Sequence, residues 1–357
     1  MRSWLCLSMN ETQRLSQSWI LDHLLPICQQ PPESDLSMPE PFSSFMARAL
    51  HDPQRGYYAR RIQTIGARGD FSTTATLSPL LGQAIAAWIK DEARVMPEVR
   101  HIIEVGAGNG MLMATVRQSL GWWRRRGFQW HIVETSESLR GLQKQSLGKS
   151  VCWHDDLQQA LNACGGRAFI YHNELLDAFP VLLFQWHEGK WHEVFVDFPD
   201  GNARESLQPI APDSDFSALQ QAPKHVQQRC EIHATVRDWL RGWAPAWQQG
   251  SMLTIDYGDV FPALYDRRPH GTLRAYLMHQ RLEGHAIYQN IGRQDITADI
   301  NFTDYRAWAQ SLGWQETCFQ TQAEFIASRV SASNDQIMDS DGAGGAFKVA
   351  VHRKLRK

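Results

Sequence analysis

The sequence predicts an α/β protein built on a parallel sheet, and three observations carry that prediction. Short apolar runs alternate with segments of helical periodicity through the middle of the chain. The run Ile102-Ile103-Glu104-Val105 breaks into Gly106-Ala107-Gly108-Asn109-Gly110, and Met111 to Val116 reads as the helix that follows. The next two strands end in acids, at Glu134 and at the pair Asp155-Asp156. Strand, turn and helix repeated in this way wrap helices around a parallel sheet.

Along the chain, residues 12–28 carry Leu15, Trp19, Leu24 and Leu25 at helical spacing, and Pro31-Pro32 breaks the pattern. A second helix is expected from Pro41 to Leu50, stopped by His51-Asp52-Pro53, and a third from Leu80 to Trp88. The first 98 residues therefore read as a helical N-terminal cap, and 99–357 as the core. Strands are expected near 101–105, 130–134, 151–153, 168–172 and 252–256. The connection between the last two is far longer than an ordinary crossover. Within it, Val181 to Trp186 and Trp191 to Phe198, joined by Glu188-Gly189-Lys190, read as a β-hairpin. The polar stretch Pro209 to Gln221 and a helix from Ile232 to Trp243 complete an insertion of about 178–250. A second insertion covers about 259–301. The helix Asp304 to Leu312 and strands near 314–320 and 346–352 close the sheet, with Asp339 to Gly345 expected as a flexible turn.

The glycine bend reads as a nucleoside site in outline. Glycines at such a turn let the backbone pass close to a ligand, because no Cβ intervenes. A dinucleotide fold wants G-x-G-x-x-G. Here the third glycine comes one place early, and Met111 holds the fingerprint position. The form G-x-G-x-G after an acidic residue resembles class I methyltransferases, which bind S-adenosyl-L-methionine. Glu104 before the loop fits a cationic ligand, and Glu134 could take both ribose hydroxyls. Asp155 and Asp156 stand where that class contacts the adenine amino group, although either could cap the helix from Leu157. In an open parallel sheet the ligand lies beyond the carboxyl ends of the strands, where strand order reverses. There the fourth strand runs into His172-Asn173-Glu174-Leu175-Leu176-Asp177-Ala178-Phe179-Pro180. Two carboxylates and an amide at that mouth make Glu174, Asp177 and Asn173 the candidate reaction centre. The alternative for Asn173 or Asp177 is a helix cap.

Composition narrows the partners. An apolar fraction of 43%, charged fraction of 21% and net charge of −2 suit a soluble globular protein without a broad nucleic-acid or membrane footprint. Trp122-Trp123-Arg124-Arg125-Arg126 is basic and aromatic, and reads as a solvated connector between a helix and a strand. The six cysteines show no C-x-x-C pair and the histidines no H-E-x-x-H spacing, so neither a metal nor a disulfide framework is expected. Cys152 falls in a strand expected to be buried. Trp4 to Leu7 is too short for a signal core or membrane span. A cytoplasmic protein without membrane insertion follows as the expectation, and its oligomeric state is not legible.

The ordered motifs resemble the MidA family (the DUF185 group) over nearly the whole length. Pro41 to Met46, Asp52-Pro53 and Gly56-Tyr57-Tyr58 resemble its opening motif, and Gly69-Asp70-Phe71-Ser72-Thr73 its G-D-F-x-T segment. Glu104 to Gly110 is similar to its cofactor loop, and Glu134-Thr135-Ser136 with Leu139-Arg140 to its acidic strand end. Asn173 to Pro180 resembles its N-E-x-x-D-A-x-P signature. Ile255 to Gly258, Gly271 to Tyr276 with His279, and Asp295 to Thr303 complete the likeness. Where the family continues T-A-P-E-I-S, this chain has Thr73-Thr74-Ala75-Thr76-Leu77-Ser78, without the proline and glutamate. The resemblance implies a class I Rossmann-like sheet with a helical N-terminal cap and inserted substrate-side elements. It also implies S-adenosyl-L-methionine as cofactor, with Gly69 and Thr73 added to its contacts. The implied activity is arginine methylation of a protein substrate, the family's mitochondrial members acting on a respiratory complex subunit. Tyr257, His279 and Arg274 are further candidates. Two other readings are a non-catalytic, cofactor-holding assembly factor and a nicotinamide dehydrogenase.

Overall fold

The computed structural model describes residues 38–60, 78–210, 219, 221–278, 280–331 and 335–356. The expected helix over 12–28, Gly69, Thr73 and His279 lie outside the described residues. The central sheet holds β2 (His101–Val105), β3 (Gln129–Val133), β4 (Val151–His154), β5 (Arg167–Asn173), β10 (Gln249–Asp259), β15 (Gln315–Thr321) and β16 (Phe347–Lys354). Its order is β15-β16-β10-β5-β2-β3-β4, with β14 (Ile300–Asn301) beside β10. β16 runs antiparallel to both neighbours, while β10, β5, β2, β3 and β4 are parallel. The chain steps from β2 outward to β4, then returns to lay β5 on the other side of β2. Strand order therefore reverses between β2 and β5, where such a sheet opens a crevice.

Both faces of this sheet are covered, which is why its strands read as apolar runs. On one face α2 (Leu80–Val95) and α3 (Met111–Leu120) pack through Leu81, Ile85, Trp88, Met113 and Val116 onto Ile102, Phe169 and Leu253. On the other, α6 (Leu157–Ala163), α7 (Ala234–Trp243) and α8 (Phe302–Ser311) pack onto Ile103, Ile170 and Met252. The two remaining connections are α4 (Trp122–Arg125) and α5 (Glu137–Leu147). Cys152 is exposed rather than buried, because β4 is the sheet's edge strand.

The expected hairpin is β6 (Leu182–His187) with β7 (Lys190–Asp197). Glu188 and Gly189 turn it with φ of 49° and 78°, the doubly left-handed pair that matches strand twist. Sequence alone did not indicate its partners. β8 (Arg204–Pro209), β9 (Arg229–Ile232) and β1 (Glu40–Pro41) complete a second, antiparallel sheet. β11 (Arg274–Leu277), β12 (Gln280–Leu282) and β13 (Asp295–Thr297) make a third. The helix α1 (Phe42–His51) joins them. It buries Phe42, Phe45 and Met46 in one cluster with Val181 and Leu183 of the hairpin and with Ala275 and Ile296 of the third sheet.

The stretch expected as a flexible turn is a turn over 340–342 that runs into a short helix. Residues 336–338 and 343–346 are helical, and a Cβ on Gly345 would stand 1.9 Å from the Ser340 carbonyl oxygen. Among the described residues no helix is long and apolar enough to cross a membrane.

Candidate functional site

The glycine bend follows β2 at the reversal point. Gly106, Gly108 and Gly110 have φ of 69°, 53° and 81°, a region open to glycine at little cost. The Gly106 amide donates to the Val133 carbonyl at 3.0 Å, which ties the bend to the end of β3. A Cβ on Gly106 would lie 2.9 Å from Leu175 Cδ1. The bend therefore touches the loop that follows β5.

The acids at the strand ends have distinct surroundings. Glu134 is buried; its Oε1 accepts from the Ser136 amide at 3.0 Å and its Oε2 from Gln143 Nε2 at 3.1 Å. Burial raises its pKa. Asp156 caps α6, accepting from the Gln159 amide at 2.7 Å, so the capping alternative holds for this residue. Asp155 pairs instead with Arg140 at 2.5 Å, and Arg140 also donates to the carbonyls of Glu134 and His154. One guanidinium thus joins the turns after β3 and β4.

Glu104 lies beneath the loop. Its Oε2 accepts from Tyr171 Oη at 2.9 Å across the β2–β5 pair, and the Met113 amide also bonds it. Burial pushes its pKa up to about 8. Its bonds here go to Tyr171 and to the Met113 amide of α3, and burial disfavours the negative charge that a cationic ligand would meet.

Gln143 was missed in the sequence. Its Nε2 donates to the Gly108 carbonyl at 2.8 Å as well as to Glu134, and its Oε1 accepts from Trp153 Nε1 at 2.9 Å. One buried amide thereby links the turns after β2 and β3 to β4. A signal was present, since Leu139, Gln143 and Leu147 form the buried stripe of α5. A polar residue in the middle of an apolar stripe needs partners.

Beyond β5 the chain turns sharply. Glu174 is half-buried, with φ of 52°, and its amide donates to the Ile255 carbonyl at 3.0 Å. Asn173 Nδ2 donates to Glu174 Oε1 at 3.0 Å, while Asn173 Oδ1 is buried without a hydrogen-bond partner. Asp177 sits in the 3-10 turn Leu176–Ala178, and its carbonyl accepts from the Ala298 amide. The turn is held by Asp256 at the end of β10, whose Oδ2 accepts from the amides of Leu175 and Leu176 at 3.2 and 2.8 Å. His51 of α1 bonds the Ala178 carbonyl at 3.1 Å, and Tyr58 donates to Asp295 Oδ1 at 2.9 Å. Pieces distant in sequence therefore converge on residues 173–178.

This convergence is acidic. Burial, with Asp177 and Glu174 nearby, raises the Asp256 pKa well above the carboxylate range. Asp295 is pushed up to about 7 by burial first and by Asp177 second. Burial also raises Asp177, against the pull of Arg274. Arg274 is buried, ion-paired with Asp299, and lies 5.1 Å from the Tyr257 ring centroid. It is the cation that partly balances Asp177. A cleft of about 990 Å³ opens beside them over the end of β10, lined by Tyr257, Arg274, Tyr276, Asp299 and Lys348 among others.

Folding also gathers His101, His131 and Cys164, which sequence spacing did not reveal. His101 Nδ1 and His131 Nε2 are 3.0 Å apart, and His131 Nδ1 and His154 Nε2 likewise. Neutral imidazoles satisfy one another in such a row, and burial lowers His131 to about 4. Burial also pushes the Cys164 thiol up to about 12.

The sheet order, the glycine bend at the reversal point and the acids closing the next two strands define the class I methyltransferase architecture. The donor set fits a nucleoside cofactor with a short tail: a cradle of left-handed glycines, a two-oxygen acid at the end of β3, and a second acid after β4. The chain belongs to the family described as "Putative S-adenosyl-L-methionine-dependent methyltransferase", matched over residues 81–320. S-adenosylmethionine is the cofactor of that family. A protein of Danio rerio named protein arginine methyltransferase NDUFAF7, mitochondrial, is 26% identical over 87% of this chain and 78% of its own length. The Drosophila melanogaster homologue of that name is 27% identical over 82% and 71%. A solved Burkholderia thailandensis structure bound to S-adenosyl-homocysteine shares the fold, with a TM-score of 0.77 and 24% identity over 98% of this chain and 95% of that one. The cytoplasmic expectation is corrected, because these relatives are named mitochondrial. It rested on cysteine spacing and on the short apolar run Trp4 to Leu7, and neither separates one reducing compartment from another.

Proposed function

We propose that this chain transfers a methyl group from S-adenosylmethionine to an arginine side chain of a protein substrate. The supporting observation is the set of carboxyl groups, Glu174, Asp177, Asp256 and Asp295, gathered at the reversal point with Arg274 as their nearby cation. Buried acids in such number call for positive charge. A guanidinium supplies it with donors in a planar fork that suits carboxylates. The names of the relatives favour arginine over other cationic side chains. The neighbouring cleft, lined by Tyr257, Arg274 and Tyr276 and by none of these four acids, leaves room for the rest of a substrate. A respiratory complex subunit, implied by the family resemblance, is the first substrate to test.

In this reading Glu134 would hold the ribose, Asp155 the adenine amino group, and the backbone of Gly106 to Gly110 the methionine tail. The bound cofactor supplies a methyl group activated on a sulfonium. Glu174 and Asp177 grip the substrate guanidinium and aim one nitrogen in line with that methyl. The guanidinium is a weak nucleophile while protonated, with a pKa above about 12. Charge drawn toward the carboxylates leaves the attacking nitrogen with more of its electron pair. Transfer of the methyl would break its bond to the cofactor sulfur, which keeps that electron pair, and the methylated nitrogen would lose a proton to Asp177, whose raised pKa suits it to accept one. Asn173 positions cofactor or substrate through the buried oxygen of its amide.

The test is Glu174→Gln, which keeps the side chain's size and removes its charge. It should fold and bind S-adenosylmethionine as the parent does, yet lose turnover by roughly a hundredfold or more. Methylarginine mass spectrometry of matched wild-type and deletion strains supplies the substrate peptide. Full turnover by the variant would overturn the role given to Glu174.

A further inference from the structure

The connector Trp122 to Arg126 is not absorbed by the methyl-transfer site. It lies between α3 and β3, at the amino ends of the strands and so on the side opposite the glycine bend. Its backbone is well held. The Arg125 amide donates to the Gly121 carbonyl at 3.1 Å, the Gly127 amide to the Arg124 carbonyl at 3.0 Å, and Trp130 Nε1 to the Arg125 carbonyl at 3.0 Å. Its side chains nevertheless point outward: Trp123 is 81% exposed and Trp122 45%. Arg100 belongs to the same corner, with its guanidinium 3.9 Å from where a Gly127 Cβ would stand.

Charge compensation is missing here. Twelve other described arginines, such as Arg140, Arg274 and Arg353, hold a carboxylate, while others, such as Arg55, Arg167 and Arg267, stand singly without one; here four gather in one corner. Among the described residues, Arg100, Arg124, Arg125 and Arg126 make no ion pair. Four unneutralised guanidiniums around two exposed indoles suit a surface offering phosphates above an apolar layer. A single-stranded nucleic acid would instead need flat aromatic faces for its bases. Those faces are poorly available, since Arg126 covers the Trp122 ring at 3.9 Å and the two indoles meet edge-on at 83°.

We infer that the Trp122–Arg126 corner, with Arg100, docks the protein on an anionic phospholipid surface. Tryptophan rings settle at the headgroup boundary and the arginines meet lipid phosphates. The methyl-transfer cleft, at the other end of the strands, then faces away from the membrane and stays open to substrate.

The full chain should float with vesicles holding about 30 mol% phosphatidylglycerol and stay behind with neutral phosphatidylcholine vesicles, the difference shrinking as salt screens the charge. Trp122→Ala with Trp123→Ala should reduce partition roughly tenfold, and Arg124→Glu with Arg125→Glu by roughly fivefold per charge or more. Trp122, Trp123 and Arg124 are exposed and Arg125 is half-buried without an ion pair, so the variants should keep the parent's melting temperature and methyl transfer. Equal partition onto neutral vesicles, or unchanged flotation of both double variants, would overturn the inference. So would tight binding of a single-stranded RNA oligonucleotide at this corner with no vesicle binding.

Discussion

Replacing Glu104 by Gln tests the role assigned to the acid before the glycine bend. The amide keeps the size of the side chain and an oxygen to accept from Tyr171, but cannot ionise. In the folded chain the Glu104 pKa stands at about 8, against 4.5 for an exposed glutamate. The folded state therefore binds this proton more tightly than the unfolded state, and the contribution to stability falls as pH rises between those two values. At about 1.36 kcal/mol per pH unit, full ionisation disfavours the fold by about 5 kcal/mol, of which about 4 kcal/mol falls between about pH 5 and about pH 9. The parent should lose that much stability relative to Glu104→Gln over this range. Asp177 and Asp295 titrate in both proteins and cancel in the comparison. Urea unfolding followed by tryptophan fluorescence at several pH values, without cofactor, measures the difference. A gap that stays constant with pH would refute the argument and return Glu104 to the ligand side of the loop.

Three further outcomes are expected. Gly106→Ala places a methyl 2.9 Å from Leu175 Cδ1 at a left-handed φ, so it should weaken cofactor binding and turnover together while destabilising the fold by about 1–3 kcal/mol; calorimetric titration and thermal melts measure both. Gln143→Leu removes the amide joining Gly108, Glu134 and Trp153, and should raise the cofactor Kd roughly tenfold with a smaller loss of stability, read by the same titration. The ratio kcat/KM, which reports the free protein, should fall as pH drops below about 6, where Asp177 takes up its proton; a pH–rate profile of Asp177→Asn checks that this limb belongs to Asp177.

The sheet was legible because its signals are local. Each apolar run that ends in a glycine turn or an acid can be read without its neighbours, and Ile102 to Val105, Trp130 to Val133 and Ala168 to Tyr171 were all placed within a residue or two of the strands observed. The hairpin from 181 to 198 was legible for the same reason. Its partners were not. β1 and β9 are short strands far from it in sequence, and they pair through backbone groups that leave little mark on residue choice. Nor did the sequence reveal that α1 packs with the inserted sheets, since an amphipathic helix shows that it has a buried face but not what covers it. At the site, Glu134 and the turn after β5 were legible as strand ends. Gln143, Arg140 and Asp256 were not assigned roles, because each acts on backbone groups brought close only by the fold.

The acidic turn poses an energetic problem whose solution bears on function. Asp177, Asp256 and Asp295 are buried within range of one another, and burial alone disfavours each charge. The fold offsets this with backbone amides on Asp256, the Tyr58 hydroxyl on Asp295 and Arg274 near Asp177. That support is incomplete, as the raised carboxyl pKa values record. Apolar residues of similar volume would pack here at lower cost if the turn only joined strand to hairpin. Acids held in this condition gain most from a cation that arrives from outside and leaves again. A guanidinium docked against Glu174 and Asp177 would draw the Asp177 pKa back down, and once the methylated nitrogen gives up its proton, the same carboxylate stands ready to take it.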